Sequence, residues 1–304
     1  MSFSGATLGN AGSKVTKMMN MDDYNQAGIR SLLATKWAGN RLLFYDVTDS
    51  TNLQAREEAE DGAPHGTMIV ADRQTAGRGR RGRSWESPAG VNVYFSLVMR
   101  PDVVPDKASM LTLIMAHSVC RVIALRTGLD CKIKWPNDVV VNGRKVCGIL
   151  TEMGLRKDGS FYLVVGVGIN VRSQEFAPEL SGKATSLEDE IGRRSTAALC
   201  KVTDSLEGDL AVSRSLLLAE IMGAFEEDYE IFLSRQNLSG LLDSYNHMLI
   251  NKDAKVRVLD PRGEYDGKAL GITETGELLV ETADGTVEQV YAGEVSVRGI
   301  YGYV

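Results

Sequence analysis

Residues 132–152 read Lys-Ile-Lys-Trp-Pro-Asn-Asp-Val-Val-Val-Asn-Gly-Arg-Lys-Val-Cys-Gly-Ile-Leu-Thr-Glu, and this stretch decides the fold class. Its apolar and β-branched runs are strand candidates, at residues 132–135, 139–141 and 145–152. They are separated only by Pro136-Asn137 and Asn142-Gly143, and connections this short join antiparallel neighbours. The stretch therefore predicts adjacent antiparallel strands of one sheet.

The same reasoning extends the sheet in both directions along the chain. Further strands are predicted at residues 41–47, 67–72, 92–99 and 161–171. Helices are predicted at residues 22–37, from the polar cluster at 49–52 to about Glu60, at 105–128 and, with interruptions, at 196–248. The helix from Pro105 to Gly128 keeps apolar residues at a period of 3.6, which is typical of a core helix.

After Asn251 the sequence changes to short strand candidates alone, at residues 254–259, 267–273, 277–281, 286–291 and 294–298. Five short strands predict a small barrel or sandwich. We therefore expect an α+β protein in three parts: a lead and helix at residues 1–40, a main domain at 41–250 and a β domain at 251–304. Residues 1–20 lack apolar periodicity and are expected to be poorly ordered.

Composition excludes several classes of protein. Of the 304 residues 43% are apolar and 24% charged, and neither a run of about twenty apolar residues nor a signal peptide is apparent, so we expect a cytoplasmic protein without a membrane span. The four cysteines form no C-x-x-C pair, which argues against a zinc site or a disulfide framework. A net charge of -6 gives no general attraction for DNA.

The most unusual segment is Arg73-Gln-Thr-Ala-Gly-Arg-Gly-Arg-Arg-Gly-Arg83, which places five arginines and three glycines in eleven residues. Glycines let a backbone approach phosphate closely, and guanidinium groups bind phosphate and carboxylate oxygens bidentately. Three interpretations stay open: a loop for a nucleotide or acyl phosphate, a nucleic-acid patch, or a solvated basic loop. Its position between two core strands of an acidic chain favours the first, although the segment is not a P-loop.

A second group of polar residues borders the hairpin. Asp138 and Lys145 are expected to be neighbours across it, where the aspartate could bind Mg²⁺ on a nucleotide and the lysine could neutralise a carboxylate or phosphate. A surface salt bridge is the alternative. Asn170 ends an apolar strand and could bind a nucleotide or merely form a turn. The three histidines are scattered, and no Ser/His/Asp or Cys/His set is indicated.

Taken together, these segments resemble one family. The segments are Asp49-Ser-Thr-Asn52, Gly77-Arg-Gly-Arg-Arg-Gly82, Lys134-Trp-Pro-Asn-Asp138, Gly143-Arg-Lys145-x-x-Gly148-Ile-Leu150 and Gly166-x-Gly-Ile-Asn170. In this order the set resembles the biotin-protein ligases, closely over residues 42–171 and loosely through the C-terminal β module. The resemblance implies a mixed sheet with helices, like the catalytic domain of class II aminoacyl-tRNA synthetases, and an SH3-like C-terminal barrel.

The implied reaction has two steps. Biotin attacks the α-phosphate of ATP to give biotinyl-5′-AMP and pyrophosphate, with Mg²⁺ accompanying ATP. A lysine of a biotin carboxyl carrier protein or carboxylase subunit then attacks the mixed anhydride. Because the first step joins two anions, it requires cations aimed at both reactants.

The resemblance also implies roles for the matching residues. Biotin would be bound by Ser50, Thr51, Asn52, Gln74, Arg78, Gly79, Arg80, Lys145 and Gly148. ATP and the adenylate would be bound by Arg78, Arg80, Arg83, Trp85, Asn137, Asp138 and Asn170. Catalysis would depend on Lys145, Arg80 and Asp138, and Asp138 would be the link to Mg²⁺.

Some ligases of this family carry an N-terminal DNA-binding domain of about sixty residues, whereas only some forty residues precede the first predicted core strand here. We therefore expect no specific DNA binding. Two alternatives remain: a lipoate-protein ligase, which shares the fold and the adenylate chemistry, and a non-catalytic RNA-binding module. The complete Gly-Arg-Gly-Arg-Arg-Gly loop favours biotin, and the sequence leaves the oligomeric state open.

Overall fold

The computed structural model of the chain describes residues 23–156, 158–199, 212–260, 263–292, 296–299 and 304. The predicted lead at residues 1–20 and part of the predicted helical region at 196–248 therefore lie outside the described residues.

A seven-stranded sheet forms the centre of the main domain. Its strands are β1 (Leu42–Thr48), β2 (Met68–Gln74), β3 (Val93–Met99), β4 (Cys131–Lys134), β5 (Asp138–Val141), β6 (Arg144–Leu155) and β7 (Phe161–Ile169), in the order β1-β2-β3-β7-β6-β5-β4. The pair β1–β2 is parallel and all other pairs are antiparallel. This confirms the mixed sheet and the meander predicted from residues 132–152.

Helices cover the sheet and supply much of the core. They are α1 (Gln26–Leu32), α2 (Thr51–Glu60), α3 (Met110–Thr127), α4 (Leu187–Leu199), α5 (Arg214–Arg235) and α6 (Leu242–Met248). The predicted core helix is α3, which ends at Gly128 in the left-handed conformation that glycine adopts easily. The stretch Pro105–Thr127 is long and apolar enough to cross a membrane, but it is mostly buried inside the protein.

Among the helix boundaries that differ from the prediction, two have a clear physical reason. The first helix was expected to reach Trp37 but α1 ends at Leu32, since the buried Glu226 carboxylate accepts hydrogen bonds from the backbone N–H groups of residues 36–38. A side chain distant in the sequence thus replaces the helical hydrogen bonds. The second difference concerns α4, which begins at Leu187 and not at the predicted residue 196. The Ser186 hydroxyl just before it accepts a hydrogen bond from the N–H of Asp189 and so caps the start of the helix.

The C-terminal domain is a five-stranded antiparallel sheet, as predicted. Its strands are β8 (Lys255–Asp260), β9 (Gly263–Ile272), β10 (Leu278–Glu281), β11 (Val287–Val290) and β12 (Ser296–Gly299), in the order β11-β10-β9-β8-β12. The buried Trp135 joins it to the main domain, because its indole N–H donates to the carbonyl of Gly276 at 3.1 Å. The motif that contains Trp135 therefore also anchors the second domain.

Candidate active site

Two adjoining cavities lie where β1, β2, β6 and β7 meet the arginine-rich segment. The smaller, here called the narrow pocket, measures about 50 Å³ and is lined by Ser50, Thr51, Asn52, Gln74, Arg78, Gly79, Arg80, Trp85, Asn137, Lys145, Gly148, Ile149, Leu150, Gly166, Val167 and Gly168. The larger, the wide cleft, measures about 540 Å³ and reaches the C-terminal domain at Val297 and Arg298. Every residue predicted to bind biotin lines the narrow pocket.

Strand pairing brings the predicted biotin residues together. Because β1 and β2 run parallel with Thr48 beside Gln74, the end of β2 lies next to the first turn of α2. The backbone N–H of Thr51 donates to Gln74 Oε1 at 2.8 Å. Thr51 is buried, so this polar wall is held by hydrogen bonds within the protein.

Asn52 forms hydrogen bonds with two residues that the sequence analysis missed. Its amide Nδ2 donates to Glu152 Oε2 at 2.7 Å, and its Oδ1 accepts from the hydroxyl of Ser96 at 2.6 Å. Ser96 is a completely buried polar residue in an otherwise apolar β3, and that contrast was a usable signal. Glu152 gave none, since an acidic residue in a half-exposed strand is usually solvated.

The floor of the narrow pocket is made of glycines covered by Trp85. A Cβ atom placed on Gly148 would lie 2.8 Å from the Trp85 indole, and one on Gly168 would lie 2.5 Å from it. A Cβ on Gly166 would meet the Asn52 amide in the same way. These positions therefore exclude side chains, and a ligand in the pocket must pass close to bare backbone.

The arginine-rich segment folds into a tight hairpin over both cavities. The N–H of Gly79 donates to the Arg83 carbonyl at 2.7 Å, and the N–H of Trp85 donates to the Gly77 carbonyl at 2.9 Å. Arg80 donates to Asn137 Oδ1 at 2.8 Å and to the Ala292 carbonyl of the C-terminal domain at 2.9 Å. The hairpin is thereby tied to both domains, and burial lowers the pKa of Arg80.

Lys145 and Asp138 are neighbours across the β5–β6 hairpin, as predicted. Lys145 Nζ lies 2.6 Å from Asp138 Oδ1, and the side chains are 24% and 11% exposed. Lys145 Nζ also lies 5.1 Å from the centre of a Trp85 ring. Because this pair is largely buried between the two cavities, the alternative of a surface salt bridge is wrong.

Asn137 and Asn170 both line the wide cleft, yet their side-chain amides have partners within the protein. Asn137 donates to the Ile149 carbonyl at 3.0 Å, and Asn170 donates to the Thr185 carbonyl at 3.1 Å. Both asparagines therefore shape the wall of the cleft. Any contact that they make with a nucleotide is additional to this structural role.

The wide cleft has a strong excess of positive charge. Seven lysine or arginine residues line it against three acidic ones: Arg80, Arg81, Arg83, Lys134, Lys145, Lys183 and Arg298 against Glu86, Asp138 and Glu179. Lys134, to which the sequence analysis gave no role, is buried, and desolvation lowers its pKa to about 8 despite the nearby Asp138. This charge suits a polyphosphate.

Outside the cavities the structure corrects one expectation about nucleophiles. His117 Nδ1 lies 2.8 Å from Asp228 Oδ2, and His117 Nε2 lies 2.9 Å from the Ser244 hydroxyl, so a Ser/His/Asp set does form. None of the three lines either cavity, and they join α3, α5 and α6. The three residues therefore connect these helices and have a structural role in the helical layer.

The thiols and possible metal ligands were also considered. Cys120, Cys131 and Cys147 are free and buried, and burial raises the pKa of the Cys147 thiol, whereas Cys200 lies outside the described residues. Across the described part of the chain, no group of three His, Cys, Asp or Glu side chains could hold a metal ion. Asp138, Glu86 and Glu179 line the cationic cleft, and Asp138 is the one that pairs with Lys145.

A tight pocket with cations at one side, joined to a wide cationic cleft, suits an enzyme that links a small acid to a nucleotide. Comparison with known families agrees: residues 44–170 match the model of the Biotin/lipoate A/B protein ligase family, and residues 255–298 match the Biotin protein ligase C terminal domain. The fold and site define a ligase of the biotin/lipoate class.

Individual relatives narrow this class. The chain is 36% identical over 277 residues to the bifunctional ligase/repressor BirA of Bacillus subtilis, covering 90% of this chain and 79% of that protein. It is 32% identical over 256 residues to the biotin–[acetyl-CoA-carboxylase] ligase of Mycobacterium tuberculosis, covering 82% and 85%. A solved biotin protein ligase from Aquifex aeolicus in complex with biotin and ATP superposes with a TM-score of 0.70 at 30% identity, over 86% of this chain and 99% of that chain.

The chain therefore belongs to the biotin protein ligase family. Membership confirms the resemblance seen in the sequence motifs, and it favours biotin over the lipoate alternative. It also makes the RNA-binding interpretation of the arginine segment unnecessary.

Proposed function

We propose that this protein activates biotin with ATP and transfers it to a lysine of a biotin carboxyl carrier domain, such as that of acetyl-CoA carboxylase. The observation that carries the proposal is the position of Lys145, which lines both the narrow pocket and the wide cleft. A cation at this junction reaches the carboxylate of an acid in one cavity and the α-phosphate of a nucleotide in the other.

In the first step a biotin carboxylate oxygen forms a bond to the α-phosphorus of ATP. The bond from that phosphorus to the bridging oxygen of the β-phosphate breaks, and pyrophosphate leaves. Lys145, Arg78 and Arg80 reduce the repulsion between the two anions and stabilise the charge that develops on the transferred phosphorus. Gln74 and residues 50–52 hold the other end of biotin in the narrow pocket, with Gly79 and Gly148 contributing close backbone contacts.

Arg83, Asn137, Asn170 and Trp85 are assigned to the nucleotide side, where all four line the wide cleft. Trp85 lines the narrow pocket as well, so its indole would separate biotin from bulk water. The excess of positive charge in the cleft supports binding of the ATP phosphates and of departing pyrophosphate.

Mg²⁺ would enter with ATP. Asp138 is the one of three carboxylates lining the cleft that pairs with Lys145, and Mg²⁺ commonly combines one or two carboxylates with substrate phosphates and water. These residues therefore fit a nucleotide-borne ion, which would shield the phosphate charge when bound. Asp138 also holds Lys145 in place, and this second role does not depend on the metal.

In the second step the neutral amine of the acceptor lysine attacks the carbonyl carbon of biotinyl-5′-AMP. An amide bond forms, the bond from carbon to the phosphate oxygen breaks, AMP leaves and the amine loses a proton. The hairpin tied down by Arg80 would keep water from the reactive anhydride until the acceptor arrives.

We also propose that the protein acts in the cytoplasm and binds no specific DNA sequence. The arginine segment faces the two cavities, and the net charge of -6 offers no general attraction for DNA. Sequence-specific binding to a promoter fragment that persists at high salt would contradict this part of the proposal.

The experiment for the main proposal supplies purified protein with ATP, Mg²⁺ and either biotin or lipoate. We expect pyrophosphate release and biotinyl-5′-AMP, detected by mass spectrometry, with biotin only, followed by biotinylation of an added carrier domain. Formation of the lipoyl adenylate alone would show that the class is right and the substrate wrong. Absence of both adenylates would refute the proposed activity.

A further inference from the structure

A buried carboxylate lies behind the site, outside both cavities. Glu190, in the first turn of α4, is 1% exposed and lines neither the narrow pocket nor the wide cleft. Burial of a charge is unfavourable unless partners compensate it, so the partners of such a group indicate what it holds together. One of them is Arg193, a turn further along the same helix, whose Nη2 lies 3.4 Å from Glu190 Oε1.

The other partners of Glu190 belong to two segments that are distant along the chain. Its Oε1 accepts from the Thr185 hydroxyl at 2.7 Å and lies 2.8 Å from Arg144 Nη2. Its Oε2 accepts from the side-chain amide of Asn142 at 2.8 Å. Asn142 belongs to the turn between β5 and β6 and Arg144 starts β6, whereas Thr185 lies just before α4. The carboxylate thus connects the β5–β6 hairpin to residues 183–185.

The hairpin and residues 183–185 meet at the backbone of Lys145. The register between β5 and β6 shifts beside this residue, and bulges of this kind change the direction in which a side chain points. The Lys145 N–H donates to the Lys183 carbonyl at 2.8 Å, and the Lys145 carbonyl accepts from the Thr185 N–H at 3.0 Å. The position of the Lys145 backbone therefore depends on the segment that Glu190 holds.

We propose that Glu190 is a positioning residue for Lys145: by connecting β6 to the segment before α4 it fixes the Lys145 backbone and so keeps the ammonium group at the junction of the two cavities. This inference rests on the proposed function. A lysine carries its charge on a flexible four-carbon stem, so the place of the ammonium group depends on the backbone from which the stem starts. A displacement of about 1 Å at a reacting group can lower a rate by about 10²-fold.

The variant Glu190→Gln keeps the size of the side chain but replaces one acceptor oxygen by an NH₂ group. One of the donors from Asn142, Arg144 or Thr185 then faces another donor, which weakens the connection between the two segments. We expect kcat for biotin-dependent pyrophosphate release to fall about tenfold. In the Lys145→Ala background the same change should lower kcat no further, because a group that acts through Lys145 has nothing to position once that side chain is absent.

Two further variants complete the test. Glu226→Gln alters another buried carboxylate, which accepts from backbone N–H groups and lines neither cavity, so it should lower Tm and leave kcat unchanged. Thr185→Val removes one donor to Glu190 and keeps the backbone N–H that bonds Lys145. It should lower kcat about threefold, again only while Lys145 is present, and it carries the test if Glu190→Gln does not fold.

The background comparison decides the outcome. Equal losses of kcat in the wild-type and Lys145→Ala backgrounds would overturn the proposal, because they indicate a general structural role. A rise in the KM for ATP at an unchanged kcat would also overturn it and would point instead to Asn170, which donates to the Thr185 carbonyl at 3.1 Å. If wild-type protein releases no pyrophosphate with biotin, the proposed function itself fails.

Discussion

The two cavities of the site are built in opposite ways. The narrow pocket is formed mainly by neighbouring strands and the first turn of α2, and its polar groups are mostly neutral and bonded to one another. The wide cleft collects cations from the hairpin, from β4, from the segment before α4 and from the C-terminal domain. The narrow pocket depends on shape and on hydrogen bonds within the protein, and the wide cleft depends on summed charge. Single changes should therefore be severe in the pocket and graded in the cleft.

The largest effect is expected at the junction of the cavities. Lys145→Ala removes the cation that faces both reactants, and it also leaves Asp138 without its partner at 2.6 Å. We expect kcat for biotin-dependent pyrophosphate release to fall by about 10²–10³-fold. Lys183→Ala, which removes an exposed lysine of the wide cleft, is the control and should lower the rate only a few-fold. Equal losses in the two variants would show that summed charge governs both cavities.

The next effect concerns shape. Gly168→Ala places a Cβ atom 2.5 Å from the Trp85 indole, so the ring must move within a pocket of about 50 Å³. Such overpacking costs about 1–3 kcal/mol, which corresponds to a KM for biotin raised about 5–150-fold, and the KM for ATP should change less. Gly192→Ala meets nothing within 4 Å and should behave as wild type. If Gly168→Ala bound biotin normally, the Trp85 side of the pocket would be more deformable than its close contacts indicate.

The same contrast explains what could be predicted from the sequence. The strands around residues 132–152, the core helix and the C-terminal strands follow from local periodicity and turn residues, and the pocket residues lie in short motifs on adjacent strands. Glu226 ended α1 earlier than periodicity predicts because it is a tertiary partner from α5. Glu152 and Arg298 were missed because their roles arise only from long-range packing. Lys134 stood in a recognised motif, but its burial could not be seen in the sequence.

A smaller effect is expected from the second domain. Arg298 on β12 adds one exposed cation to a cleft that has six others, so Arg298→Ala should raise the KM for ATP about 3–10-fold and leave the KM for biotin unchanged. The loss should shrink as salt concentration rises, because screening weakens the contribution of an exposed charge. Arg257 lies opposite Arg298 in the β8–β12 register and pairs with Asp266, so Arg257→Ala is a matched control. Equal effects of the two variants on the KM for ATP would show that Arg298 has no specific role in the cleft.

The smallest effect is expected at His65, which belongs to the scaffold outside both cavities. His65 lines neither cavity, packs against Trp37 with ring centres 4.4 Å apart, and accepts a hydrogen bond from the Arg100 N–H at 3.0 Å. Burial lowers its pKa below the ordinary 6.5, so the unfolded chain binds this proton more readily than the folded one. The free energy of unfolding should therefore be undiminished by His65 above pH 6.5 and should fall as the pH drops from 6.5 through the lowered pKa.

His65→Asn should consequently flatten the dependence of Tm on pH below 6.5, while the KM values for biotin and ATP at neutral pH stay unchanged. The exposed His247 provides the control variant His247→Asn, which should keep the wild-type slope. An identical slope in His65→Asn and wild type would show that His65 is not the group that couples stability to pH. A change in either KM would show that the aromatic cluster around Trp37 communicates with the site, and the separation of scaffold from cavities would then be incomplete.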